Sequence, residues 1–166
     1  MVKKLFAVYL GGNAKGANIE VHDIVFLASS DIDEENDRIK ELWFGEQAGL
    51  HIDAVAMVEG VDNYKISIGG TENTTNDLKL FFINFGAASN GSLTEDHENG
   101  FFVASTKGEA IKKAMKTLLV DYSGVHLDNL YDIDDCIDVQ QNLNGQIIIE
   151  EVPGFKTSIQ NVYKKL

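Results

Sequence analysis

"KKLFAVYLGGNAKGANIEVHDIVFLAS" (residues 3–29) decides how this chain is read, because the chain says it twice. "LKLFFINFGAASNGSLTEDHENGFFVAS" (78–105) restates it at an offset of 75 residues. Lys4, Leu5 and Phe6 return as Lys79, Leu80 and Phe81, and Gly11 and Gly16 as Gly86 and Gly91. Glu20 and His22 return as Glu95 and His97. The offset holds without a gap to Gly49, His51 and Asp53, which return as Gly124, His126 and Asp128. A fixed self-offset marks a duplicated unit, and it has to be recognised before any element is assigned.

Each copy then reads alike. A first strand, 3–10 or 78–85, is rich in aromatic and β-branched residues, and a Gly-bearing loop leads to a second strand, 22–29 or 100–105. A helix follows. In the second copy Thr106 and Glu109 fit a capping box, and Ala110, Ile111, Ala114, Met115, Leu118 and Leu119 form an i, i+3, i+4 stripe. In the first copy the helix spans about 32–44, with an acidic start that suits the helix dipole. Third strands are expected at 49–58 and 124–133, and fourth strands at 63–68 and 145–152. The last pairing requires an insertion near "DVQQNLN", where the offset of 75 is lost.

The expectation is an α+β fold of two ββαββ repeats with internal pseudo-two-fold symmetry. Residues 1–70 make the first unit, 71–77 a polar linker and 78–152 the second unit. The tail, 153–166, is expected to end in a short helix over about 156–165. Both units can belong to one compact domain.

Composition narrows the function. With 166 residues and 44% hydrophobic content, the chain can bury a core without disulfides or metal staples. Any metal would then serve function. The net charge of −12 repels phosphate backbones, and no Lys/Arg stripe offsets it, so nucleic-acid binding is not expected. The single cysteine, Cys136, excludes an internal disulfide and suits a reducing compartment. No apolar run approaches the ~20 residues of a membrane helix. The start "MVKKLFAVYL" looks superficially like a leader, but it alternates like a strand and recurs internally. The expected location is cytoplasmic, with no membrane partner.

All four histidines fall on repeat-matched positions, 22 with 97 and 51 with 126. Unselected surface histidines drift after duplication. Side chains at i and i+2 of a strand share a face, so each unit offers a Glu-x-His pair and a His-x-Asp pair. If the second and third strands are neighbours, the pairs converge. Two imidazoles with one or two carboxylates suit Zn, Mn or Fe(II). The candidate ligands are Glu20, His22, His51 and Asp53, and their counterparts Glu95, His97, His126 and Asp128. A histidine beside a carboxylate more commonly makes a structural hydrogen bond that fixes its tautomer. Metal-free acid–base chemistry is a third reading.

Other motifs carry less. "GGNAKG" (11–16) invites a phosphate-loop reading, but it leads into a strand rather than a helix and its copy "GAASNG" has no lysine. A tight glycine turn that can line a pocket fits better. Cys136 has no matched cysteine, and "DIDD" (132–135) lacks the glycine and glutamate of a calcium loop.

The stretches "LFAVYLGGNAKGANIEVHDIVF" and "WFGEQAGLHIDAVAMVEGVDNYKISI" resemble the bacterial family called domain of unknown function 1543, a short unit found once or twice per chain. The second unit keeps the glutamate, histidines and aspartate but replaces Gly12, Asn13 and Asn18 by Ala87, Ala88 and Leu93. The resemblance implies a bacterial, cytosolic protein and no activity. Sequence thus leaves two readings, with substrate and reaction unnamed. One is a small-ligand or divalent-metal binding protein, or an enzyme, that uses the paired residues as metal ligands or as acid–base groups. The other is a non-catalytic protein-interaction module with structural histidines.

Overall fold

In the computed structural model, which describes residues 2–69, 77–88, 93–118 and 135–166, the chain is a mixed α+β protein with three antiparallel sheets. Its elements are β1 (Lys4–Gly12), β2 (Val21–Ser29), α1 (Asn36–Leu42), β3 (His51–Met57), β4 (Gly60–Val61), β5 (Tyr64–Gly69), β6 (Lys79–Ala88), β7 (Glu95–Ala104), α2 (Lys107–Ala114), β8 (Asp135–Asp138), β9 (Gln146–Glu151) and β10 (Ser158–Lys165). The chain divides into two compact units, Met1–Asn73 with Asn142–Leu166, and Thr74–Gln141.

In the first unit four strands run in the order β10-β3-β1-β2. β1 is central, and its residues are buried on both faces. Phe6, Val8 and Leu10 join Ile39 and Trp43 from the helical segment in one core. Leu5 and Ala7 point the other way and are buried as well. A second sheet, β4-β5-β9, contributes Ile66, Ile147 and Ile149, and β5 contacts β1. Alternation of large apolar residues on both sides of one strand is what allows it to sit mid-layer.

The first helix is shorter than its pattern predicts. Asp31 caps a 3-10 turn over Ile32–Glu35 by accepting from the Asp33 amide at 3.0 Å. The α-helix then runs only seven residues, and Trp43 is already extended. Its side chain is held inward by the indole N–H donating to Glu46 O at 3.1 Å.

The second unit has the strand order β7-β6-β8, with α2 against it. Ala110 and Ala114 face Phe81, Ile83 and Phe102. The capping box forms in a shifted version. Thr106 Oγ1 accepts from the Glu109 amide at 3.2 Å, and Glu109 reaches the Ser105 amide at 3.1 Å.

The register of β6–β7 is that of β1–β2 moved by 75 residues. Lys4 pairs with Ser29 and Gly11 with His22, while Lys79 pairs with Ala104 and Gly86 with His97. β7 begins at Glu95, five residues before the strand read from sequence.

Two expectations differ from the structure, and a third falls outside the described residues. The third strand of the second unit, expected at 124–133, lies entirely outside the described residues. Among the described residues, β8 pairs with β6 on the side away from β7, and its Cys136 stands opposite Ile83 where Val55 stands opposite Val8. The strand thus sits six residues beyond the repeat offset. The expected fourth strand of the second unit exists as β9, but it pairs with β5, Ile66 opposite Ile149, within the first unit. The tail is not helical. It is β10, paired with β3, because Ile159, Val162 and Tyr163 favour extended backbone and β3 offers an unpaired edge.

Candidate functional site

Gly11 is the centre of the site. In register it pairs with His22 of β2 on one side and with His51 of β3 on the other. Sequence left strand order open and brought the two pairs together only if the second and third strands are neighbours. They are not, because β1 lies between them. The pairs converge all the same, since the strand between them has no side chain at this position. An ideal Cβ on Gly11 would lie 2.5 Å from Glu20 Oε1, 2.6 Å from His51 Nε2 and 2.8 Å from Asp53 Oδ2.

Two backbone features aim the donors. Glu20 stands one residue before β2 and reaches across to His51, Oε1 to Nε2 at 2.8 Å. Asp53 is the extra residue where the β1–β3 ladder shifts register, between Tyr9/Ala54 and Leu10/Ile52. A bulge of this kind re-aims a side chain, and Asp53 Oδ1 comes to 3.3 Å from His51 Nε2. Glu20, His51 and Asp53 each present one donor atom within 4.8 Å of the others, a group that can hold a metal ion. His22 stands slightly apart, its Nε2 3.8 Å from Glu20 and 3.6 Å from Asp53.

His51 is 7% exposed, and its orientation is fixed from behind. Nδ1 is 2.9 Å from Gly49 O. A carbonyl can only accept, so Nδ1 carries the hydrogen and Nε2 faces the carboxylates. A neutral imidazole would then point a lone pair at two carboxylate oxygens. The arrangement calls for a positive centre there, a proton or a metal ion. Asp53 Oδ2 is buried and has no hydrogen-bond partner among the described residues.

The glycine loop supports this orientation. It runs from β1 into β2, strand to strand, which is not the path of a phosphate loop. Asn13 O accepts from the Glu46 amide at 2.7 Å, and Asn13 Nδ2 lies 3.5 Å from Ala48 O. Gly49 adopts φ +91°, and a Cβ there would meet Asn13 Nδ2 at 2.9 Å. The "GGN" stretch thus braces the turn whose carbonyl orients His51.

Two residues were missed by sequence reasoning. Tyr9 stacks parallel on His22, ring centroids 5.4 Å apart at 5°. Burial first, then the charges of Asp53 and Asp23, push its phenol above the ordinary value. Tyr163 of β10 packs on His51 at 4.8 Å. Tyr9 has no repeat signal, since Asn84 stands at its matched position, and Tyr163 lay in a tail read as helix.

In the second unit His97 is exposed and opposite Gly86 in register. Glu95 lies in β7 opposite Ala88. His126 and Asp128 lie outside the described residues.

Residues 17–68 and 92–143 match the Domain of Unknown Function (DUF1543) family. The chain belongs to that family. The two matched segments begin and end 75 residues apart, the interval of the internal repeat, and are consistent with tandem copies of the family unit. All four first-unit candidate residues fall inside the match, whereas the "GGN" loop precedes it. The chain is similar to a solved structure, a protein Il1583 from Idiomarina loihiensis. Identity is 30%, with 98% of this chain and 96% of that one covered, at a TM-score of 0.73. No curated protein matches the chain. No helix among the described residues is long and apolar enough to cross a membrane.

Proposed function

We propose that the first unit of this DUF1543 chain binds a divalent metal ion of the Zn, Mn or Fe(II) kind. Glu20, His51 and Asp53 are the primary ligands, and His22 closes as the fourth. The observation that carries the reading is the gap over Gly11, where three donor atoms converge on one point. Two imidazoles and two carboxylates suit these metals. The Gly49 contact to Nδ1 is the supporting hydrogen bond that a ligating imidazole needs.

The competing reading is a charged imidazole clamped by two carboxylates. The 2.8 Å His51–Glu20 separation suits such a network. Two features favour the ion. Asp53 Oδ2 is buried with no hydrogen-bond partner among the described residues. His22 is too far from either carboxylate to bond, yet near enough to close on an ion.

The matched set Glu95, His97, His126 and Asp128 is proposed as a second, weaker site. Equal spacing in sequence and the shared glycine–histidine register support it, as they support reading the two units as repeats of one motif. It lacks the Asn13 brace, and β8 pairs with β6 six residues beyond the repeat offset. The acidic charge and the bacterial family it resembles favour a cytosolic protein that meets small molecules rather than nucleic acid or membrane.

The test is elemental analysis of untagged protein dialysed against Zn²⁺, Mn²⁺ or Fe²⁺, beside His51→Ala and His22→Ala. About one tightly held ion per chain, lost in His51→Ala and weakened in His22→Ala, supports the reading. No bound ion, with His51→Ala clearly destabilised, means the histidines are structural and the protein acts as an interaction module.

A further inference from the structure

We infer that Tyr9 and Tyr163 make the site over Gly11 selective for a ligand with an oxygen-donor head and a flat aromatic body. The inference rests on the metal reading above and names what the metal's outward side would take.

Each histidine of the site carries one tyrosine ring, Tyr9 on His22 and Tyr163 on His51. Neither ring serves the core. Tyr9 is 38% exposed and Tyr163 70%, whereas Phe6, Phe26 and Trp43 in the same unit are buried.

The position of Tyr163 requires a break in the sheet. The β3–β10 ladder pairs Asn161 with Ala54 and then Lys164 with Ile52. Val162 and Tyr163 are thus left opposite Asp53. Val162 turns to the core and Tyr163 to His51. The β1–β3 ladder breaks at the same level. Two adjacent irregularities in an otherwise regular sheet therefore both place side chains around the site.

The chemistry follows from charge. A divalent ion held by Glu20 and Asp53 is neutral overall, and the chain around it carries a net charge of −12. Long-range attraction for a polyanion is absent. Ligand affinity has to come from an oxygen donor reaching the ion and from contact with exposed aromatic surface. Tyrosine supplies such surface at low entropic cost, having only two side-chain torsions.

Two hydroxamates with the same metal-binding head separate these contributions. Full-length protein is loaded with Zn²⁺, its metal content is measured, and acetohydroxamate and benzohydroxamate are titrated calorimetrically. Each affinity is referred to that for free Zn²⁺. Benzohydroxamate is expected to bind about tenfold more tightly than acetohydroxamate. The preference should vanish in Tyr163→Ala and shrink in Tyr9→Ala, and should survive in Tyr163→Phe. Equal binding of the two hydroxamates to the wild type, or a preference unchanged in both alanine variants, overturns the inference. A wild-type chain that holds no Zn²⁺ overturns the metal reading itself, and the metal analysis of the same samples tells the two failures apart.

Discussion

Replacing Gly11 by alanine tests the site with a single methyl group. The added Cβ would lie 2.5, 2.6 and 2.8 Å from Glu20 Oε1, His51 Nε2 and Asp53 Oδ2, all inside the 3.0 Å that real Cβ contacts respect. Three atoms must therefore retreat. Glu20 is well exposed and can swing outward at little cost. His51 cannot follow. It is buried, its Nδ1 is held by Gly49, and Tyr163 rests on it. The strain concentrates there and on Asp53, and overpacking of this kind costs about 1–3 kcal/mol. Loss of glycine's freedom in the unfolded chain returns about 0.4–1 kcal/mol. The metal-free variant should thus lose about 1 kcal/mol of stability, read as a lower urea midpoint at unchanged slope. Its effect on the ion is larger, because the methyl group occupies the point where the donors converge. Removing a supporting group alone costs about 10–100-fold in metal affinity, so Gly11→Ala should cost more than that. Calorimetric titration with Zn²⁺ and urea unfolding of the metal-free protein measure both. A variant with wild-type affinity and midpoint would refute the geometry argued for the site.

Other outcomes follow from single contacts. Asp53→Asn removes one of the two carboxylates facing His51 Nε2 and supplies an N–H donor. It should abolish tight metal uptake while leaving the metal-free melting temperature equal or higher, and a marked fall in that temperature would count against the crowding of negative charge. Thr106→Ala removes the cap of α2 and should cost about 1 kcal/mol in urea unfolding. Metal binding at the first unit should be untouched by it. Burial, assisted by Asp138 and opposed by Lys107, pushes the Cys136 thiol up. Less thiolate is then present at pH 8, so iodoacetamide should alkylate Cys136 more slowly than a small free thiol, with the rate gap closing as pH rises. A rate equal to the free thiol's would mean the side chain is more open to solvent than β8 places it.

The repeat was legible because it needs only letters. Matching Gly11 with Gly86 and His22 with His97 requires no coordinates, and the two strand pairs carry that offset into their register. The four first-unit donors were legible for the same reason, as paired residues at i, i+2 spacing. Their supports were not. Gly11 reads as half of a turn, yet it acts as a gap between neighbouring strands. Asn13 reads as loop, yet it braces the Gly49 turn behind His51. Tyr163 was lost because the tail was read as a short helix, and nothing local says that β3 has a free edge waiting for it.

Local chemistry therefore determined what this chain is made of: extended segments from β-branched and aromatic alternation, a capped second helix from Thr106 and Glu109, and a duplicated set of imidazoles and carboxylates. Tertiary structure decided which of these meet. The order β3-β1-β2 puts β1 between the two donor pairs, and only the missing side chain of Gly11 lets them close. The sheet likewise chose its own last strand, drawing β10 from the far end of the chain, because hydrogen bonds across an open edge form between any two strands that fit. Strand order and edge pairing are set by which surfaces bury each other best over the whole unit. That is a property of the assembled fold and of no window of sequence.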